Sequence, residues 1–283
     1  METADNLTEP QSSLQRLLAE ANVARLDAEL LLAHVFGTTR SAVIAHGEQC
    51  IGQPEALRYR ALVARRAAGE PLAYLTGERE FWSLPLMVSE AVLIPRPETE
   101  LVVERALALL SEPAAHASEP RIADLGTGSG AIALALARER PRWQLLASDQ
   151  SAQALQVARA NARRLQSHQI EFVEGDWFAS LGTRRFEAIL SNPPYVAAGD
   201  PALPALRYEP AAALSPGPSG MEALRHLIAR APDHLCPGAW LVLEHGADQA
   251  REVAVALVAA GYARVRCHRD LAGHDRVTEA QWP

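Results

Sequence analysis

From Arg121 onward the chain alternates short apolar runs with amphipathic segments, and this alternation restricts the fold more than any other feature. Apolar runs bounded by turn residues, each followed by a helical repeat, predict a mostly parallel sheet with helices on both faces. Strands are expected over 121–125, 143–148, 169–174, 186–191, 239–245, 262–268 and 275–281, and helices over 129–140, 151–165, 221–231 and 248–260. Only Asp270 to His274 separates the last two runs, which is too short for a parallel crossover. These two strands should therefore pair antiparallel as a hairpin. The reading is an α/β fold with a seven-stranded sheet. A proline-rich stretch from Val196 to Ser219 is expected to be a long loop, and loops of that length are usually functional or disordered.

Upstream, the pattern to about Gly77 reads as helices only. Leu14, Leu17, Leu18 and Ala21 recur at helical spacing after Ser12-Ser13, Leu26 to Phe36 is an apolar run stopped by Gly37, and Thr39 or Ser41 can cap a short helix. Pro54 suits the first residue of a further helix running to Gly69, with Leu57, Leu62 and Val63 facing the core. Arg58, Arg60, Arg65 and Arg66 crowd that helix, either as a solvated face or as a docking surface. From Arg79 to Ile94 the residues Phe81, Trp82, Met87 and Val88 flank a turn near Ser83 to Pro85, predicting a two-stranded ribbon. Pro97 opens a helix with Leu101, Val102, Ala106 and Leu109 on its apolar face, and Ser111 to Pro120 reads as an exposed connection.

Composition excludes several kinds of chemistry. All 27 basic residues are arginine, so no lysine is present to form a Schiff base or to grip a nucleotide phosphate. A net charge of −7 argues against a stable nucleic acid partner. Three widely spaced cysteines and scattered histidines indicate neither a disulfide framework nor a metal site. No apolar run approaches the roughly 20 residues that span a bilayer, and Met1 to Asp5 lacks a secretory pattern, so a cytoplasmic location away from membranes is expected.

Two motifs carry the chemistry. The first apolar run ends in Asp124-Leu125-Gly126-Thr127-Gly128-Ser129-Gly130 and enters a helix, a glycine loop that lets a ligand approach the main chain. Its spacing also fits the loose dinucleotide pattern, which leaves a nicotinamide or flavin as competitor. Asp124 is placed to receive an ammonium group, and Asp149 follows the second strand where an acid takes ribose hydroxyls. Asp176 and Trp177 follow the third strand and suit an adenine. Each acid alone reads equally as a helix cap, and Trp177 alone as core packing. Together, at three successive strand ends, they favour S-adenosylmethionine. The second motif, Asn192-Pro193-Pro194-Tyr195, combines an amide oxygen, two rings without N–H groups and a phenol. Both Asn192 and Pro193 precede proline, so the loop is stiff, and its carbonyls can face a substrate NH₂ group without local donors. Alone it reads equally as a turn ending a strand.

The glycine loop, Asp149, Gly175-Asp176-Trp177-Phe178 and Asn192 to Tyr195 resemble the S-adenosylmethionine-dependent methyltransferases. Leu75-Thr76-Gly77, Glu80 to Leu86, Ile94 to Glu100, Leu243-Glu244-His245-Gly246 and Asp275-Arg276-Val277-Thr278 are similar to the bacterial peptide chain release factor glutamine methyltransferases. That resemblance implies a helical substrate-recognition domain over 1–76, a β-ribbon linker over 77–95 and a Rossmann-like methyltransferase domain over 96–283. It also implies methylation of the glutamine in the Gly-Gly-Gln motif of class 1 release factors. Cofactor contacts are implied for Asp124, Gly126, Thr127, Gly128, Ser129, Gly130, Asp149, Asp176, Trp177 and Asn192. Substrate contacts fall on Asn192, Pro193, Pro194 and Tyr195, with Asn192, Pro193 and Tyr195 in the catalytic roles. The alternatives are a nucleic acid amino-methyltransferase and a non-catalytic S-adenosylmethionine-binding module. One departure stands out: the family commonly has Leu-Gly-Arg after the threonine, where this chain has Glu279-Ala280-Gln281.

Overall fold

The computed structural model describes residues 12–110 and 119–283, so the connection expected over Ser111 to Pro120 lies mostly outside the described residues. The chain divides into two compact units, Met1–Gly77 and Glu78–Pro283.

The first unit contains β1 (Ser12–Ser13), α1 (Leu14–Glu20), α2 (Arg25–Phe36), α3 (Arg40–Ala45), β2 (Cys50–Ile51), α4 (Gln53–Ala67) and α5 (Leu72–Thr76). Local chemistry sets several helix ends. Ser13 caps α1 by accepting the Arg16 N–H, Thr39 caps α3 by accepting the Ala42 N–H, and Gly37 ends α2 in the left-handed region at φ 65°. Leu14, Leu17, Leu31, Leu32, Val43, Ile51 and Tyr59 form the buried core. Three expectations need correction. The unit is not purely helical, because Ser12 and Ser13 pair antiparallel with Ile51 and Cys50. Pro54 is the second residue of α4, not the first. Leu57 is 57% exposed, and Ala56, Tyr59 and Val63 are the residues of α4 that turn inward. Much of the arginine crowding on α4 is answered within the unit: Arg60 pairs with Glu20, Arg65 with Glu70 and Arg66 with Asp27.

The second unit opens with a hairpin of β3 (Glu78–Phe81) and β4 (Leu84–Met87). Its two turn residues, Trp82 and Ser83, both have left-handed φ, 52° and 56°, which matches the twist that a two-residue hairpin requires. Glycine or asparagine usually takes such positions. Here hydrogen bonds hold a tryptophan there: its N–H donates to Glu100 at 2.7 Å and its indole N–H to Glu139 at 2.9 Å. Phe81, Leu84 and Leu86 enter the core beside Val102, Val103 and Ala106 of α6 (Glu100–Leu109), whereas Met87 is turned outward.

The remaining elements are β5 (Arg121–Leu125), α7 (Ala131–Glu139), β6 (Gln144–Asp149), α8 (Ala152–Arg164), β7 (Ile170–Glu174), β8 (Phe186–Ser191), α9 (Ala211–Leu214), α10 (Glu222–Arg230), β9 (Leu235–Glu244), α11 (Ala250–Ala259), β10 (Ala263–Arg269) and β11 (Asp275–Gln281). The sheet order is β10-β11-β9-β8-β5-β6-β7. β7, β6, β5, β8 and β9 run parallel, and β11 and β10 are antiparallel, as the short Asp270 to His274 connection requires. Side chains alternate between the faces. Ile122, Leu145, Ala188 and Val242 pack toward α6 and α7, while Ala123, Leu146, Ile189 and Leu241 pack toward α10 and α11. β9 starts at Leu235, earlier than expected, because a register irregularity between Phe186 and Ala188 lets the strand carry Pro237 and Gly238. No described helix is long and apolar enough to cross a membrane.

Candidate active site

After β5 the chain turns outward to β6 and β7, then returns to place β8 on the other side of β5. In such sheets the crevice beyond the carboxyl ends of the strands, at this reversal, is where ligands bind. A cavity of about 260 Å³ lies there. Gly126, Thr127, Gly128 and Ser129 line it after β5, as do Asp149 at the end of β6 and Asp176 and Trp177 after β7. Asn192 and Pro194 line it after β8.

The glycine loop owes its shape to Gly126, Gly128 and Gly130, at φ 73°, 56° and 86°. A side chain at any of them would be strained. The N–H groups of Gly126 and Thr127 both donate to the Ser148 carbonyl at 2.9 Å, and the Asn161 side chain ties the Ser129 carbonyl to Met87. Asp149 accepts from the Gly128 N–H and the Ser151 N–H, each at 2.9 Å, which leaves lone pairs on both oxygens for further donors. Burial pushes its carboxyl above the usual range, against these bonds.

Asp124 sits behind the loop, 2% exposed, and does not line the cavity. The Thr127 hydroxyl donates to its Oδ2 at 2.6 Å, and Oδ1 has no hydrogen-bond partner among the described residues. Desolvation raises this carboxyl to about 7, with the Thr127 bond opposing. Trp177 has a left-handed φ of 47°, and its ring would lie 3.6 Å from a Cβ added at Gly126, so the indole covers the loop's first glycine. The groove thus offers a backbone cradle open at Gly128, an acid at the end of β6 and an aromatic wall. These are the groups an adenosyl amino acid needs, and the residues fit S-adenosylmethionine.

Within the Asn192 motif the residues separate. The Asn192 Nδ2 donates to the Thr99 hydroxyl at 3.0 Å, and Thr99 also lines the cavity. Pro193 is buried. Tyr195 is absent from the cavity lining. Its hydroxyl donates to Glu244 at 3.1 Å, and its carbonyl accepts from the Gln249 amide at 3.0 Å. Ser191, fully buried, donates to the Leu125 carbonyl at 2.7 Å and locks the ends of β8 and β5 together.

Sequence reasoning passed over four residues that shape this site: Thr99, Asn161, Glu209 and Glu244. Glu209 lies in the loop after Tyr195, which forms a 3₁₀ turn at Leu203–Leu206 and the short helix α9. Its carboxylate accepts from the Ile94 N–H at 3.0 Å and pairs with Arg96, and the neighbouring Pro210, Ala212 and Ala213 form one wall of the cavity. A carboxylate directly after the apolar run Trp240 to Leu243 was the available signal for Glu244.

Two domain models match the chain: PrmC N-terminal domain over residues 11–77 and Methyltransferase small domain over residues 102–207. Release factor glutamine methyltransferase of Xylella fastidiosa (strain Temecula1) is 49% identical over 271 residues, spanning 94% of this chain and 97% of that protein. The protein of the same name from Escherichia coli (strain K12) is 46% identical across 90% of this chain and 91% of its own. That from Burkholderia pseudomallei is 44% identical across 98% and 99%. Among solved structures, the hMettl16 catalytic domain in complex with MAT2A 3′UTR hairpin 1 matches with a TM-score of 0.57 at 16% identity, covering 83% of each chain. A methyltransferase from Pyrococcus furiosus matches with a TM-score of 0.52 at 18% identity, covering 78% of this chain and 96% of its own. The structural likenesses speak for the methyltransferase fold, and the sequence matches go further: this chain belongs to the release factor glutamine methyltransferase family.

Proposed function

We propose that this chain transfers a methyl group from S-adenosylmethionine to the side-chain amide nitrogen of the Gly-Gly-Gln glutamine of class 1 peptide chain release factors, in the cytoplasm. The observation that carries the reading is the Asn192 amide at the wall of the cavity, its nitrogen donating to Thr99. The amide oxygen is left as an acceptor.

Bound S-adenosylmethionine supplies an electrophilic methyl group on a sulfonium. Asp149 would accept the ribose hydroxyls, the loop from Gly126 to Gly130 would cradle the amino acid tail, and Trp177 with Asp176 would hold the adenine. An amide nitrogen is a poor nucleophile because its lone pair is shared with the carbonyl. The Asn192 oxygen and the Pro193 carbonyl orient its N–H groups so that the lone pair faces the methyl donor. Positive charge grows on those hydrogens as the nitrogen takes the methyl group and S-adenosylhomocysteine is left, and one N–H proton then passes to water. Fixed acceptors then hold the transition state more tightly than the ground state, which is a gain in rate rather than in binding alone. Among the described residues no group of acids, histidines and cysteines is arranged to hold a metal ion.

The experiment is incubation of the full chain with methyl-labelled cofactor and, separately, a class 1 release factor or duplex DNA, followed by mass spectrometry of the acceptor. Label on the release factor glutamine is expected. Label confined to DNA, or none on either acceptor, overturns the proposal.

A further inference from the structure

Two stretches that line the cavity lie far apart in sequence, the glycine loop with Gly126 to Ser129 and the segment after β4 with Glu90 to Leu93. One fully buried side chain joins them. Asn161 of α8 does not line the cavity, yet all three of its hydrogen bonds go to main chain beside it. Its oxygen accepts from the Met87 N–H at 2.7 Å, and its nitrogen donates to the Met87 carbonyl at 3.0 Å and to the Ser129 carbonyl at 2.9 Å. Met87 is the last residue of β4, so the amide grips the chain where it leaves the hairpin for Glu90. The Ser129 carbonyl belongs to the same planar peptide as the Gly130 N–H, which donates to the Thr127 carbonyl at 2.9 Å. Holding that carbonyl therefore sets the tilt of a peptide within the loop. α8 comes this near because small residues face each other three positions earlier on the same side of the helix. A Cβ added at Gly130 would stand only 3.3 Å from that of Ala158.

We propose that Asn161 is a positioning residue for the cofactor: it clamps the end of β4 to the glycine loop and so fixes the spacing of the two cavity-lining stretches before S-adenosylmethionine arrives. The inference concerns the cofactor alone and stands whichever acceptor is methylated. Its physical basis is the match between one amide and three main-chain groups. The Met87 N–H needs an oxygen, and the two carbonyls need two N–H groups, a set that a carboxamide supplies in full. An ionised aspartate has no proton for either carbonyl. Leucine, of similar size, has neither a donor nor an acceptor. A cradle held in place in advance needs no ordering when the ligand enters, whereas a loosened one must be ordered at the expense of affinity.

The test compares Asn161→Asp and Asn161→Leu with the natural chain by calorimetry with S-adenosylhomocysteine, thermal melting, and NMR of the cofactor-free protein labelled with ¹⁵N-glycine and ¹⁵N-valine. At about pH 8.5 both variants should bind about 10- to 100-fold more weakly, the range set by leaving buried carbonyls without donors. The two should then diverge with pH. A protonated aspartic acid has an O–H to give one of the carbonyls, and burial raises the pH at which it forms. Asn161→Asp should therefore regain affinity as the pH falls to about 6, and Asn161→Leu should not. Each curve is read against the natural chain, because burial also raises the Asp124 and Asp149 carboxyls near the same ligand. The amide nitrogens of Gly130 and Val88, each bonded to a carbonyl that Asn161 holds, should shift in both variants before any ligand is added. Natural affinity in the variants, parallel pH curves for the two, or unmoved Gly130 and Val88 signals would overturn the inference. So would a lowered melting temperature with unchanged affinity, the mark of a role in stability alone. Should neither variant fold, the natural chain labelled with ¹⁵N-asparagine decides: S-adenosylhomocysteine should shift the Asn161 side-chain NH₂ signals, and signals that stay in place refute the clamp.

Discussion

In the proposed reaction, Asn192 contributes one amide oxygen. Replacing Asn192 with alanine should lower the methyl-transfer rate by about 10²- to 10³-fold, roughly 3–4 kcal/mol, by analogy with the loss of one preorganised hydrogen-bond partner to developing charge. Cofactor affinity should change far less. Single-turnover rates at saturating cofactor, alongside calorimetry, separate the two quantities. Near-natural rates would mean that the stretch is only a turn. The glycine loop and the Asn192 motif were legible in the sequence because each is a contiguous string whose backbone consequences are local. Thr99 was not, since its meaning comes from a bond to a residue 93 positions away. Glu279 shows the same limit. It stands where the family commonly has leucine, yet it is 1% exposed, and Arg105 of α6 donates to it at 2.8 Å while His268 lies 3.1 Å from it. Neither partner could be named from the sequence around it.

Elements were easier to read than contacts. Each strand of the large sheet is a compact apolar run between turn residues, which makes its position a local property, and the expected and observed spans differ mainly at β9. What turns inward on a helix is decided by its neighbours, which is why Val103 rather than Leu101 is fully buried on α6. The proline-rich stretch after Tyr195 is a structured wall. Ala198 donates to the Gly217 carbonyl, Val196 to the Leu214 carbonyl, and Glu209 clasps Ile94 and Arg96. Hydrogen bonds to a charged group are worth about 1.5–3 kcal/mol. Glu209→Ala leaves the Ile94 N–H and Arg96 without that acceptor and loosens the wall carrying Pro210, Ala212 and Ala213. Affinity for S-adenosylhomocysteine should therefore fall by about 10- to 100-fold, at roughly 1.4 kcal/mol for each factor of ten. Calorimetry checks this, and natural affinity in the variant would show that the wall keeps its place without the clasp.

For the molecule as a whole, the two units each possess a separate core, one built on Leu17, Leu31 and Tyr59 and the other on the faces of the large sheet. A chain starting at Glu78 should therefore fold and bind cofactor with near-natural affinity, while kcat/KM on an intact release factor should drop by about tenfold or more if the first unit docks the substrate. Melting by circular dichroism and methyl-transfer assays test both halves, and undiminished efficiency would remove any docking role from the first unit. The order of the sheet carries a consequence of a different kind. β10 precedes β11 along the chain, yet it reaches the sheet only through β11, which lies between it and β9. A nascent chain that has made β10 alone holds a strand with nowhere to dock. Once β11 arrives, the Arg276 carbonyl accepts the His245 N–H at 2.9 Å and Thr278 meets the His245 ring at 2.8 Å, immediately beyond Glu244. A nonsense codon between the two strands therefore leaves β10 without its partner and opens the edge of β9 opposite to β8.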